Sequence, residues 1–196
     1  RKDASTLGIV ACGVQGRSNL EALACRFQLE QVQAFDIDPE VARRYAEEMS
    51  DQLNIEIFPV DSAQEAVCGK DLVVTSGPIL KDPAPVIDAE WLSPGAFACP
   101  LDFDSYWKPA ALRQIDKLAT DDLAQLAYYR SIGYFRETPE PYADLGELAV
   151  GEKQGRQTDR ERTMSLNLGL AMEDMVTAAL IYRKARSSGI GTKLEL

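Results

Sequence analysis

Gly13 and Gly16 stand between the apolar run Leu7-Gly8-Ile9-Val10 and the residues Arg17-Ser18-Asn19, a spacing that turns a strand into a helix. A helix start leaves its first N–H groups without intrahelical partners, at the positive end of the helix dipole, and those groups attract phosphate. Twenty residues after Gly16 comes Asp36, directly behind a second apolar run, Val32-Gln33-Ala34-Phe35. A carboxylate there accepts both ribose hydroxyls of an adenosine and repels a 2′-phosphate. The chemistry on offer is a dinucleotide cradle. Val14 and Gln15 present backbone N–H groups to a pyrophosphate, Gly13 lets it approach, and Gly16 lets helix and strand pack. The expected cofactor is NAD rather than NADP. Ala11 takes the place of the first glycine of G-x-G-x-x-G, and alanine suits that turn only with a negative φ. Glycine pairs also occur in such turns for structural reasons alone. The strand before, the helix after and the acidic residue at the right separation favour the cofactor.

Histidine is absent from the 196 residues. That excludes a Ser-His-Asp triad, a Cys-His pair, an imidazole general base and a cysteine–histidine zinc site within this sequence. Proton transfer falls to a carboxylate, lysine, tyrosine or cysteine. Cys12, Cys25, Cys68 and Cys99 show no C-x-x-C spacing, so no metal site is expected and the thiols are expected to be reduced, as in a cytoplasmic protein. The net charge of −10 argues against nucleic acid or an anionic membrane as partner. No apolar run reaches bilayer length, and the first residues do not resemble a signal peptide.

The elements that must position these residues alternate at short spacing, as in a parallel α/β sheet. A helix is expected over 14–27, then one opening at Asp38-Pro39-Glu40 and running to about Met49. A strand follows over 55–60, and Ser62-Ala63-Gln64-Glu65 opens a brief helix that stops at Gly69. Asp71-Leu72-Val73-Val74-Thr75 is the clearest buried strand. Thr75 and Ser76 at its end either line the adenosine or nicotinamide side of a cleft or simply form a turn. Residues 81–94 wander, with one turn near 88–92. Strands are expected over 96–99 and, last in the chain, 117–120, with helices over 109–115 and from Asp121-Asp122 through Tyr129. A loop over 133–141 and a short helix over 143–150 precede a polar linker at 151–157. Thr158-Asp159-Arg160-Glu161 reads as a capping box opening a helix to about Arg186, apolar over more than one stripe and so expected to be largely buried. The expected division is a dinucleotide-binding domain over 1–150 and a C-terminal linker and helix over 151–196.

Several of these motifs, taken in order, resemble the ornithine cyclodeaminase/mu-crystallin family. They are Gly13-Val14-Gln15-Gly16, Asp36-Ile37-Asp38-Pro39, Asp71-Leu72-Val73-Val74-Thr75, Glu90-Trp91-Leu92-Ser93-Pro94-Gly95-Ala96, Gly169-Leu170-Ala171-Met172-Glu173-Asp174 and Gly189-Ile190-Gly191-Thr192. The resemblance implies a Rossmann-like α/β fold, doubly wound and mostly parallel, whose long C-terminal helix packs on a substrate-binding and dimerisation domain preceding it. Because this sequence opens where the Rossmann part opens, that domain is expected to be missing here. The family's glycine-rich turn before its catalytic aspartate reads Ala98-Cys99-Pro100-Leu101-Asp102-Phe103-Asp104-Ser105-Tyr106-Trp107 in this chain, which puts the catalytic role at Asp102 with Asp104 as the fallback.

The implied activity is hydride transfer between the α-carbon of an amino acid, or a cyclic imine, and the nicotinamide of NAD. Its outcome is oxidative deamination, cyclisation with loss of ammonia, or imine reduction. The implied partners are a small-molecule amino acid or cyclic imine and, at full length, a second copy in a homodimer. The alternative is a non-catalytic module of the mu-crystallin type that binds NAD(H) or another ligand. That alternative rests on the missing substrate domain, the Ala11 replacement and the altered turn before Asp102, and under it NAD(H) binds weakly or not at all.

Overall fold

The computed structural model describes residues 1–194. In it the first apolar run becomes β1 (Thr6–Val10), with Leu7, Ile9 and Val10 out of contact with water. α1 (Val14–Ala24) follows the glycine turn, and β2 (Gln31–Phe35) pairs with β1 in parallel. α2 (Pro39–Leu53) begins where the Asp38 carboxylate accepts the Glu40 N–H at 3.0 Å, with Pro39 already holding a helical φ. Its buried residues, Ala42, Tyr45, Ala46 and Met49, fall at helical spacing, and Asn54 ends it in the left-handed conformation.

β3 (Ile57–Pro59) forms one edge of the sheet, and α3 (Ala63–Val67) starts on the Ser62 hydroxyl, which accepts the Glu65 N–H at 3.2 Å. β4 (Leu72–Thr75) is buried at every position, as a central parallel strand covered on both faces must be. A 3₁₀ turn at Ala89–Trp91 leads to β5 (Phe97–Pro100). Then come α4 (Pro109–Leu112), β6 (Lys117–Thr120) and α5 (Leu123–Ser131), the last capped by Asp122. β7 (Ala143–Asp144), α6 (Leu145–Ala149), β8 (Thr163–Leu166) and α7 (Ala171–Ser187) complete the described chain.

All the strand pairings are parallel, in the order β3-β2-β1-β4-β5-β8-β6-β7. The order reverses between β1 and β4, and at such a switch point a crevice opens outside the carboxyl ends of the strands. Val10 is in register with Phe35 on one side and Thr75 on the other, and Thr75 with Pro100. The glycine turn, Asp36, Ser76 and the segment leading to Asp102 therefore leave the sheet along one edge. Two cores hold this edge in place. Leu7, Ile9, Leu20, Val32, Tyr45 and Met49 share one, and Val10, Val73, Ala98, Leu112, Leu126 and Met164 share the other. Each large buried aliphatic side chain stabilises the fold by about 1.5–3 kcal/mol.

Three expectations need correction. The strand at 117–120 is not the last, because β7 and β8 follow and β8 lies between β5 and β6. The helix expected from Thr158 begins only at Ala171. The Glu161 carboxylate accepts the Gln157 N–H at 2.6 Å, so the capping-box residues close a local turn, and Thr163–Leu166 rejoins the sheet beyond the expected boundary at residue 150. α7 is not buried: Met172 is 70% exposed and Met175 69%, and none of its residues lies in a core. Glu195 and Leu196, the end of the expected C-terminal segment, fall outside the described residues. No helix among the described residues is long and apolar enough to cross a membrane.

Candidate active site

Ala11 leaves β1 with a φ of 75°, in the left-handed region that costs an L-residue about 1–2 kcal/mol. Its N–H donates to the Phe35 carbonyl at 2.8 Å and its carbonyl accepts the Ser76 hydroxyl at 2.9 Å, so both neighbouring strand ends impose that conformation. The expected negative φ is overturned; the turn keeps the shape glycine would take freely. Ala11→Gly is expected to stabilise the chain by about 0.5–1 kcal/mol, since relief of strain outweighs glycine's greater chain entropy. A higher denaturant midpoint at unchanged slope is the readout.

At Gly16 a Cβ would sit 2.6 Å from the Ala11 carbonyl oxygen, so the close contact of α1 with the turn requires glycine. At Gly13 a Cβ would meet nothing within 4 Å. α1 receives no side-chain cap among the described residues, and Val14 is 81% exposed, so Val14 and Gln15 sit at an uncapped helix start beside open space. These residues fit a dinucleotide pyrophosphate.

The Asp36 carboxylate accepts the Cys12 N–H at 2.9 Å through Oδ2 and the Asp38 N–H at 3.1 Å through Oδ1. It thus ties the end of β2 to the glycine turn, and each oxygen keeps lone-pair capacity for a ribose hydroxyl. A cleft of about 110 Å³ beside it is lined by Ala11, Asp36, Ile37, Pro78 and Tyr106. Tyr106 had no signal in the sequence, because it reaches this cleft from the irregular segment after β5. Its ring packs against Gly77, where a Cβ would lie 2.2 Å from the phenol oxygen.

Asp102, just past β5, is fully buried. Its Oδ1 accepts the Thr75 hydroxyl at 2.9 Å and its Oδ2 accepts the Gly77 N–H at 3.1 Å. Burial pushes its carboxyl up to about 7, against the pull of those two donors, and neighbouring Asp104 pushes the same way. Thr75 is also fully buried, so its side chain faces Asp102 rather than an open cleft, while Ser76 ties β4 to the glycine turn. Asp104, the fallback, points elsewhere: it accepts the Thr138 hydroxyl at 2.8 Å, and burial raises its pKa as well.

The raised Asp102 carboxyl carries a stability prediction with a definite sign. Folded Asp102 holds its proton up to about pH 7, whereas the unfolded chain loses it near pH 4. The stabilisation is complete below the unfolded value and is lost as pH rises through the folded one, on the order of 4 kcal/mol in all. Denaturant midpoints are expected to fall between about pH 4 and pH 7 and to level off above, and Asp102→Asn is expected to flatten that slope.

Asn167, which follows β8, donates through Nδ2 to the Cys99 sulfur at 3.1 Å and accepts the Ser165 hydroxyl at 2.7 Å. Its side chain is therefore bound into this edge of the sheet. Asp121 holds the next residues, its Oδ2 accepting the N–H groups of Leu168 at 2.8 Å and Gly169 at 2.6 Å.

A nucleotide-type helix start, an acidic residue at the end of β2 and a near-neutral carboxyl at the end of β5 thus share one edge. The profile of the ornithine cyclodeaminase/mu-crystallin family matches residues 1–189. The chain belongs to that family. It is 29% identical to the alanine dehydrogenase of Archaeoglobus fulgidus, the match covering 100% of this chain and 61% of that protein. It is also 29% identical to the N-((2S)-2-amino-2-carboxyethyl)-L-glutamate dehydrogenase of Staphylococcus aureus, covering 100% and 60%. Among solved structures it is similar to the Delta(1)-pyrroline-2-carboxylate reductase of Thermococcus litoralis in complex with NADH and L-proline. There the TM-score is 0.84 at 30% identity, covering 99% of this chain and 62% of that one. The Rossmann-like α/β fold expected from the sequence is the fold observed. The chain spans about three fifths of the length of these relatives.

Proposed function

We propose that this chain is the NAD(H)-binding part of an enzyme acting on amino acids or cyclic imines. The observation that carries the reading is the convergence of the Gly13–Gly16 turn, Asp36 and Asp102 on one edge at the β1/β4 switch point. Gly13, Val14, Gln15 and Gly16 would hold the pyrophosphate and Asp36 the adenosine ribose. The bound nicotinamide would supply hydride transfer to or from the substrate α-carbon. Asp102 moves the proton: near neutrality it exists both as acid and as base, which suits exchange with an amine or imine nitrogen. Thr75 and the Gly77 N–H orient it, and Ser76 fixes the Ala11 turn on which the pyrophosphate would rest.

Relatives named for dehydrogenation of amino acids and reduction of a cyclic imine support this reading, as do solved relatives bound to NADH or NAD. The exposed apolar positions of α7 suit packing on a preceding substrate-binding domain, and the full-length protein would be a homodimer. Four free thiols accord with a cytoplasmic location. The test is a screen of amino acids with NAD⁺, and of cyclic imines with NADH, on the full-length protein. Turnover with any of them supports the reading. Saturable nucleotide binding without turnover across the screen favours the non-catalytic module.

A further inference from the structure

The indole N–H of Trp107 donates to the Thr75 hydroxyl oxygen at 3.1 Å, and the Thr75 hydroxyl donates to Asp102 Oδ1 at 2.9 Å. Trp107 is 1% exposed, and Thr75 and Asp102 are fully buried, so water does not compete at any of the three. An indole only donates, and a threonine hydroxyl has a single proton. With its oxygen turned toward Trp107, Thr75 has one place to send that proton, the Asp102 carboxylate.

Trp107 is itself held firmly. Its backbone N–H donates to the Asp104 carbonyl at 3.0 Å, the Ile87 N–H donates to the Tyr106 carbonyl at 2.8 Å, and the Lys108 N–H donates to the Ile87 carbonyl at 3.1 Å. The residues on either side of the indole are thereby laced to the segment before the 3₁₀ turn.

We propose that Trp107 is a positioning residue that acts through Thr75 on Asp102, committing the threonine proton to the carboxylate and so setting the pH at which Asp102 exchanges its own. A donor fixed on Oδ1 favours the anion and opposes the burial that favours the acid. The other titratable groups that interact with Asp102 are Asp104, Cys99 and Tyr106. None of them donates to its carboxylate, so they do not replace the relay. The consequence for turnover rests on the proposed role of Asp102; the relay itself does not.

The test is a titration of Asp102 by carbon NMR in protein labelled at the aspartate carboxyl. Trp107→Phe is expected to raise the Asp102 midpoint by roughly half to one pH unit, and Thr75→Val by about one unit or more, the worth of a hydrogen bond to a charged group. Adding Trp107→Phe to Thr75→Val is expected to change nothing further, because the indole acts only through the hydroxyl. A benzothienyl-alanine at position 107 keeps the ring's volume and removes only the N–H, so it separates the relay from packing and is expected to shift the midpoint as Phe does. An unmoved midpoint in the benzothienyl variant, or additive shifts in the double variant, would overturn the proposal.

In turnover, the pH profile of kcat should follow the shifted midpoint while KM for the nucleotide stays. If the proposed function is wrong, the titrations still shift but no nucleotide binds and no substrate turns over. If only the relay is wrong, nucleotide binding and turnover persist with the midpoint unmoved.

Discussion

Asp102→Asn is expected to lower turnover of the full-length protein by about 10²- to 10⁴-fold, the range that a positioned acid–base group contributes. The substitution keeps the volume of the side chain and an oxygen able to accept the Thr75 hydroxyl. It also turns an amide NH₂ toward the Gly77 N–H, setting donor against donor where a carboxylate oxygen accepted at 3.1 Å. That mismatch costs about 1–3 kcal/mol of stability at low pH, so the assay belongs well below the unfolding midpoint. Nucleotide affinity should change little, because Gly13, Val14, Gln15, Gly16 and Asp36 do not depend on Asp102. Asp104→Asn is the companion measurement. The Asp104 carboxylate binds Thr138 on a different segment, so its loss should leave most of the turnover. The opposite ranking of the two variants would move the acid–base role to Asp104.

Asp36→Ala is expected to weaken NADH binding by about 10- to 100-fold, the loss of charge-assisted hydrogen bonds to two ribose hydroxyls. The same change relieves repulsion of a 2′-phosphate, so NADPH should weaken less and the preference between the two should narrow or invert. The structure adds a structural cost. Asp36 accepts the Cys12 N–H, and Cys12 is only 2% exposed, so alanine leaves a buried donor unpaired and loosens the glycine turn. Asp36→Asn retains an acceptor for that N–H. If asparagine binds NADH as weakly as alanine does, the charge at this position is what matters. If asparagine restores most of the affinity, the turn is what matters.

The legible parts of this protein were those decided within a few residues. Asp38 and Pro39 start α2, Ser62 starts α3 and Asp122 starts α5, because each cap bonds to an N–H two or three positions on. The turn between β1 and α1 was legible for the same reason: Gly13 and Gly16 stand at the start of α1, and Asp36 directly follows β2.

What was illegible rests on contacts between distant segments. The Thr158 to Glu161 pattern satisfied itself as a turn, while β8 is a strand only because β5 and β6 leave a ladder for it to fill. The positive φ of Ala11 is imposed by Phe35 and Ser76, which no local pattern reports. Thr75, read as lining a cleft or forming a turn, instead bonds to Asp102, and Trp107 is a core residue with one polar atom spent on Thr75. α7 has the composition of a buried helix, yet none of its residues is buried among the described ones.

The measurement that bears most directly on the central claim is a fluorescence titration of the protein with NADH and, in parallel, with NADPH. The account predicts saturable NADH binding, about tenfold or more tighter than NADPH at low salt, from one Asp36 carboxylate facing the ribose. Tighter binding of NADPH, or saturable binding of neither nucleotide, would contradict it.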